Sequence, residues 1–233
     1  GVTEIMAHPA YCDDDLASFW RVGVEQTTNR RRELDCMACD LVGVSLATGP
    51  NEACYIPLGH LNVGGGGEDM FAEKPQQVPM DVALEKLRPL LESDAVLKIG
   101  QNLKYDMTVL RRHGIEVAPY DDTIVMSFDL EAGKSLSGHG MDEAARQHLG
   151  HECISFKDVV GTGKNQISFA EVPLPCATEY AAEDADVTLR LWKRFKARIA
   201  NEGASRVYEL VDRPLVGVIA KMEHQGIKVD REA

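Results

Sequence analysis

Apolar positions change period along the chain, and the changes outline its elements. Residues 41–47, LVGVSLA, and 53–58, ACYIPL, are β-prone and flank the turn formers Gly49, Pro50 and Asn51. Two such runs about a turn predict an antiparallel hairpin. Between Met80 and Glu92, the residues Val82, Ala83, Leu84, Leu87, Leu90 and Leu91 recur at helical spacing. AVLKIG at 95–100 reads as a short buried strand and 101–113 as a helix, and this alternation is the rhythm of an α/β layer fold. Further helices are predicted over 123–131, 141–149, 177–200 and 204–225, with the start of a strand at 226–230. Ser168 with Glu171 forms a capping box at the head of a short helix. Residues 1–15 read as a lead-in and 16–20 as the start of a short helix.

Composition narrows the class. The chain has 233 residues, 44% hydrophobic and 27% charged, which suits one good-sized core plus a smaller appendage. Collagen-like, disordered and disulfide-scaffold classes are excluded. No apolar run approaches the roughly 18–20 residues of a membrane span, so no membrane partner is expected. Six scattered cysteines in so long a chain read as reduced thiols in a cytoplasm. The net charge of −12 argues against a broad grip on a phosphate backbone. It is compatible with a local basic stripe or with carboxylates that bind cations.

Two aspartates stand where carboxylates are costly. Tyr180, Asp184, Val187 and Leu191 share one face of the long helix, while Glu183 and Asp186 fall off that stripe and read as solvent charges. Leu103, Asp106 and Leu110 share a face of the helix that follows strand 95–99, at the carboxyl end of the sheet where open α/β folds bind ligands. A carboxylate in an apolar stripe needs a partner. Either a backbone N–H or an arginine satisfies each one, or the two share a divalent cation, and hard oxygen ligands suit Mg²⁺ or Mn²⁺.

KIGQNLKYD at 98–106, DDT at 121–123, GMDEAA at 140–145, FKDVVGTGKNQ at 156–166 and YAAEDADVTLRLW at 180–192 together carry a resemblance. So do LVGVSLA, YIPLGH at 55–60, and DRPLVGVIAKMEHQGIKVD at 212–230. The chain resembles the 3′–5′ proofreading exonuclease domain of bacterial family A (polymerase I-like) DNA polymerases. That resemblance implies an α/β ribonuclease H-like mixed sheet flanked by helices over 1–201, with 202–233 as the start of a polymerase region in the same bacterial chain. It implies four acids holding two metal ions, Mg²⁺ or Mn²⁺, about 4 Å apart for phosphodiester hydrolysis. Asp106 matches the second-motif acid, Asp184 the third, and Tyr180 the residue that orients the attacking water. Gln101, Asn102, Tyr105 and Phe156 match positions that contact the single-stranded 3′ end of DNA, with Phe156 stacking on a base. Rival readings are a silent DNA-binding or bracing domain and a ribonuclease D-type exonuclease, against which the tail at 212–230 argues.

The family's first motif, Asp-x-Glu on the first strand, is absent. VGVEQTTNRRRELD stands at 22–35; an ungapped count back from Leu41 puts Thr28 and Arg30 in place of the acids. With an insertion, Val22-Gly23-Val24 becomes the end of the first strand, and Glu25 takes the aspartate's place with Thr27 in the glutamate's. Three readings compete: catalysis lost with a structural role kept, Glu25 as a partial substitute metal ligand, and an artefact in this stretch. The loss of two of four acids implies impaired activity. Other motifs carry less. Cys36-Met37-Ala38-Cys39 lacks a second pair at zinc-finger distance, and Gly64 to Gly67 lacks the Gly-Lys-Ser/Thr of a phosphate loop. Gly161 to Asn165 is a flexible loop near Phe156. His139 and His148 read as surface or capping residues, and Lys104, Lys157 and Lys164 as a local positive rim.

Overall fold

The computed structural model describes residues 2–9, as backbone only, and 40–61, 77–131, 138–163 and 166–226. Five strands form one mixed sheet. β1 (Val2–Pro9) lies at its centre, antiparallel to β2 (Leu41–Gly49) and parallel to β4 (Leu97–Gly100). β3 (Glu52–Pro57) pairs antiparallel with β2 at one edge, and β5 (Tyr120–Asp122) pairs parallel with β4 at the other. The predicted hairpin is therefore present, turning at Asn51 with φ 62°.

The centre of the sheet corrects an expectation. Val2–Pro9 occupies the position expected of Val22-Gly23-Val24, although it read as a lead-in. Its sequence, VTEIMAHP, does not alternate, and its strand character comes from pairing with β2 and β4, which no local pattern reveals. Residues 16–20, 22–35 including Glu25, the Cys36–Cys39 pair and Gly64 to Gly67 lie outside the described residues.

Helices cover both faces. Val44 and Leu46 of β2 point to a core built with α1 (Met80–Leu91) and α2 (Lys104–Arg112). Ala47 points to the other face, where Ala185 and Leu189 of α6 (Leu174–Asn201) pack with Ile99. A register shift at His8/Pro9 opposite Leu41 lets Leu41 join the first core and Val42 the second. Gly43 is required by close approach, because a Cβ there would sit 2.1 Å from the Tyr55 hydroxyl.

α3 (Thr123–Glu131) and α4 (Met141–Leu149) pack on α6, and Gly150 at φ 64° closes α4. The short α5 (Phe156–Val160) precedes a 3₁₀ turn, Phe169–Glu171, whose head carries the predicted Ser168/Glu171 capping box. Past Asn201 the chain folds back onto the body. Ser205–Val207 and a π-helical turn, Tyr208–Asp212, lead into α7 (Arg213–Gln225). Tyr208 is fully buried beside Met126, Leu191 and Phe195, and Val216 joins the α1–α2 core. The expected strand lies, from residue 227 onward, outside the described residues.

Candidate active site

The turn from β4 into α2 carries the first group of candidate residues. The helix begins at Lys104 rather than 101, because Asn102 adopts φ 60° in the left-handed region that asparagine tolerates. Asp122, at the end of β5, holds this turn. Its Oδ1 accepts from the Asn102 N–H at 3.0 Å and the Ile124 N–H at 3.0 Å, and its Oδ2 accepts from the Leu103 N–H at 2.8 Å. One carboxylate thus ties down the approach to α2 and caps α3. Burial pushes its pKa up to about 6, against the opposing pull of those backbone donors. The Thr123 hydroxyl donates to Gly100 O at 3.1 Å and to Gln101 Oε1, and Gln101 Nε2 donates to His139 O at 3.1 Å.

Asp106 sits in the first turn of α2 with 4% of its surface exposed, and Asp184 lies mid-way along α6 with 3% exposed. Both are therefore core-facing, as the helical stripes require. Tyr180, one turn before Asp184, is half-buried, its ring 5.8 Å from that of Phe156 and 5.9 Å from that of Phe169. Phe156 is 7% exposed and stacks on Phe169 at 6.1 Å. Its ring packs against that of Tyr180. Gln101, Asn102 and Tyr105 are half-buried at the head of α2.

Several charges differ from their expected settings. Glu183 is no solvent charge: its carboxylate accepts from the Ile154 N–H at 2.6 Å and lies 2.8 Å from His151 Nε2. Asp186 is buried too, accepting from the Asn51 N–H at 2.5 Å and pairing with Arg190, which fastens α6 to the β2–β3 turn. Both residues flank the stripe, where the crowded sheet and the α4–α5 loop reach them. Lys104 pairs with Glu223 of α7 at 2.7 Å instead of joining a free positive rim; Lys157 is exposed, and Lys164 lies outside the described residues. His139 stacks on Phe128 at 3.8 Å and meets Ser127 Oγ at 2.9 Å, and His148 packs edge-on to Phe195. Both histidines fill gaps between helices rather than lie on the surface.

Sequence reading missed the acids that hold the fold around the site. Asp121 is fully buried and accepts from Trp192 Nε1 at 2.8 Å and the Tyr208 hydroxyl at 2.8 Å, with Lys196 at 3.2 Å and Arg213 at 3.3 Å. Asp121-Asp122-Thr123 entered the sequence reading only as part of the resemblance; a local signal for Asp122 is the apolar helix starting directly after it, which needs a cap. Lys98, also fully buried, donates to Ser93 O at 2.8 Å and to Ala118 O, and burial lowers its pKa.

Asp106 and Asp184 supply the hard oxygen donors that a divalent cation takes, but not a full set. Among the described residues no group of three His, Cys, Asp or Glu is placed to hold a metal. A two-metal site needs more ligands than these two carboxylates.

A mixed sheet ordered β3-β2-β1-β4-β5 with helices on both faces is a ribonuclease H-like α/β fold. A sequence profile of 3′–5′ exonuclease domains matches residues 31–200, and the chain belongs to that family. It is 47% identical over 213 residues to DNA polymerase I of Rhizobium leguminosarum, covering 85% of this chain and 20% of the relative. The chain thus spans about a fifth of that protein's length. Among solved structures, it superposes with a TM-score of 0.61 on a Brucella melitensis NrnC with bound Mg²⁺, at 16% identity, covering all of this chain and 90% of the other. Escherichia coli RNase D gives 0.54 at 12% identity, covering 97% and 46%; both likenesses speak for the fold alone. No described helix is long and apolar enough to cross a membrane.

Proposed function

We propose that this chain is the 3′–5′ exonuclease domain of a bacterial, cytoplasmic DNA polymerase I, that it receives the single-stranded 3′ end of DNA, and that its own hydrolysis is weak. One observation carries the reading: the acids at the family's second and third motif positions, Asp106 and Asp184, are buried in apolar helix stripes, with Tyr180 one turn before the latter. Burying a carboxylate is costly unless a partner offsets it, and a divalent cation is one such partner. In this reading Asp106 and Asp184 hold Mg²⁺ or Mn²⁺, the Tyr180 phenol orients the attacking water, and Gln101, Asn102 and Tyr105 meet the DNA strand. Phe156 acts by packing against Tyr180. Glu25 is proposed as a replacement first-motif acid from the sequence alone, since the strand at the centre of the sheet is Val2–Pro9. Residues 202–233 open the polymerase region.

Weak hydrolysis follows from ligand count. Cations held by carboxylates lose affinity as ligands are removed, so one ion binds weakly and a second does not. The test is digestion of a 3′-labelled single-stranded DNA with Mg²⁺ or Mn²⁺, with and without chelator. Slow, chelator-sensitive release of 5′-mononucleotides that disappears in Asp106→Asn is expected. No release above background, with DNA binding retained, would make this a silent binding domain. Fast digestion lost on Glu25→Gln would make Glu25 a full ligand and overturn the impairment.

A further inference from the structure

Tyr208 lies beyond the segment matched by the exonuclease profile, yet none of its surface is exposed. Its hydroxyl does two things at once. It donates to Asp121 Oδ1 at 2.8 Å and accepts from the Asp122 N–H at 3.2 Å. Lys196 and Arg213 sit over its ring, 5.4 and 5.8 Å from the centroid, and both also reach Asp121. The strand end is therefore gripped from the C-terminal side through its backbone and from α6 through Trp192 and Lys196.

The same strand end grips the turn before α2. From the Tyr208 hydroxyl to the Asp122 N–H, and from the Asp122 carboxylate to the Asn102 and Leu103 N–H groups, is a path of two consecutive hydrogen-bonded steps with every member half-buried or buried. Asn102 in the left-handed region has its N–H held by that carboxylate while its carbonyl accepts from the Tyr105 N–H at 3.0 Å, so the carboxylate is the partner that ties the turn to β5. Two residues later α2 begins, with Asp106 in its first turn.

We infer that Tyr208 is a positioning residue: it couples the helical segment 205–225 to the turn Gln101–Leu103, so that docking of that segment sets the geometry of the DNA-contacting residues and of the helix bearing Asp106. The link to DNA rests on the function proposed above, whereas the coupling itself is a property of the fold. Because burial and the Asp121 carboxylate push the Tyr208 pKa far up, its hydroxyl keeps its proton throughout the working range.

The test uses the whole 233-residue chain with Tyr208→Phe, which keeps the ring and removes only the hydroxyl. Amide hydrogen exchange at Asn102, Leu103 and Ile124 should accelerate about tenfold, the loss expected for one buried hydrogen bond, while β2 amides from Val42 to Ala47 stay unchanged. Affinity for a 3′-ended single-stranded oligodeoxynucleotide should fall about three- to tenfold. Trp192→Phe is the control: it removes another donor to Asp121 without touching Asp122, and should leave those three amides as they are. Exchange that is unchanged in Tyr208→Phe, or that rises equally in β2 as global destabilisation demands, would overturn the coupling. So would equal acceleration in Trp192→Phe. Loss of protection at the three amides in a chain that never binds the oligonucleotide would support the coupling while refuting the DNA role.

Discussion

Asp129, half-buried on α3, shows what one carboxyl beside another does to pH dependence. Burial and the neighbouring Asp212 carboxylate push its pKa up to about 7, and Asp122 moves in the same direction to about 6. A carboxyl whose folded pKa is raised binds its proton more tightly in the folded state. Its contribution to stability is complete below the ordinary carboxylate range and is lost as pH rises through the raised value. Asp129→Asn removes that loss at the Asp129–Asp212 contact. The variant's unfolding midpoint should therefore fall less than the parent's between pH 5 and pH 8, with its gain greatest at pH 8. Thermal unfolding followed by circular dichroism across that range checks it; parallel curves would show that the pair does not share a proton. At this scale the sequence was informative for Asp106 and Asp184, whose stripes are local. It did not give the roles of Asp121, Asp122 and Tyr208, because the partners that make them matter lie about 20 to 90 residues away.

Elements repeat the same division. The hairpin and the helices at 80–91, 123–131 and 141–149 were legible because their hydrophobic period is a property of neighbouring residues. β1 and β5 were not: one is irregular in pattern, the other is three residues long with two acids, and both exist through pairing with β4. The onset of α2 shifted from 101 to 104 because a side chain from another strand captured the Asn102 and Leu103 N–H groups. The hairpin also contains a sharp steric demand. Tyr55 lies across Gly43, its hydroxyl 2.8 Å from His60 Nε2, and an added methyl would displace the ring from that partner. Gly43→Ala should cost about 1–3 kcal/mol, as overpacking of a filled core does. Urea unfolding would measure it, and a change of only a few tenths would mean that Tyr55 has an alternative seat. At the 3₁₀ turn, Ser168→Ala should cost about 1 kcal/mol by removing the side chain that caps Ala170 N–H.

For the whole molecule, the acidic total and the proposed DNA ligand have to be reconciled. With 37 acids against 25 bases the body repels a polyanion at long range, and among the described residues several cations are taken up by acids. Lys104 is occupied by Glu223, Lys196 and Arg213 serve the buried Asp121, and Arg198 serves the buried Glu131. Structural duty has absorbed cations that a nucleic-acid grip would use. Binding must then come from a few short-range contacts at the strand's 3′ end, where polar groups such as Gln101 and Asn102 do not release counterions. Each phosphate neutralised on a single strand contributes roughly −0.7 to the slope of log K against log salt. Two or three such contacts predict a slope of about −1.4 to −2.1. Fluorescence anisotropy of a 3′-labelled oligodeoxynucleotide titrated between 50 and 200 mM KCl, about the range over which such slopes are read, would supply the number. A slope steeper than about −4, the signature of six or more phosphate contacts, would mean that a basic track runs through residues beyond the head of α2. A shallow slope that steepens in Glu223→Gln would identify Lys104 as a cation held back from DNA by α7.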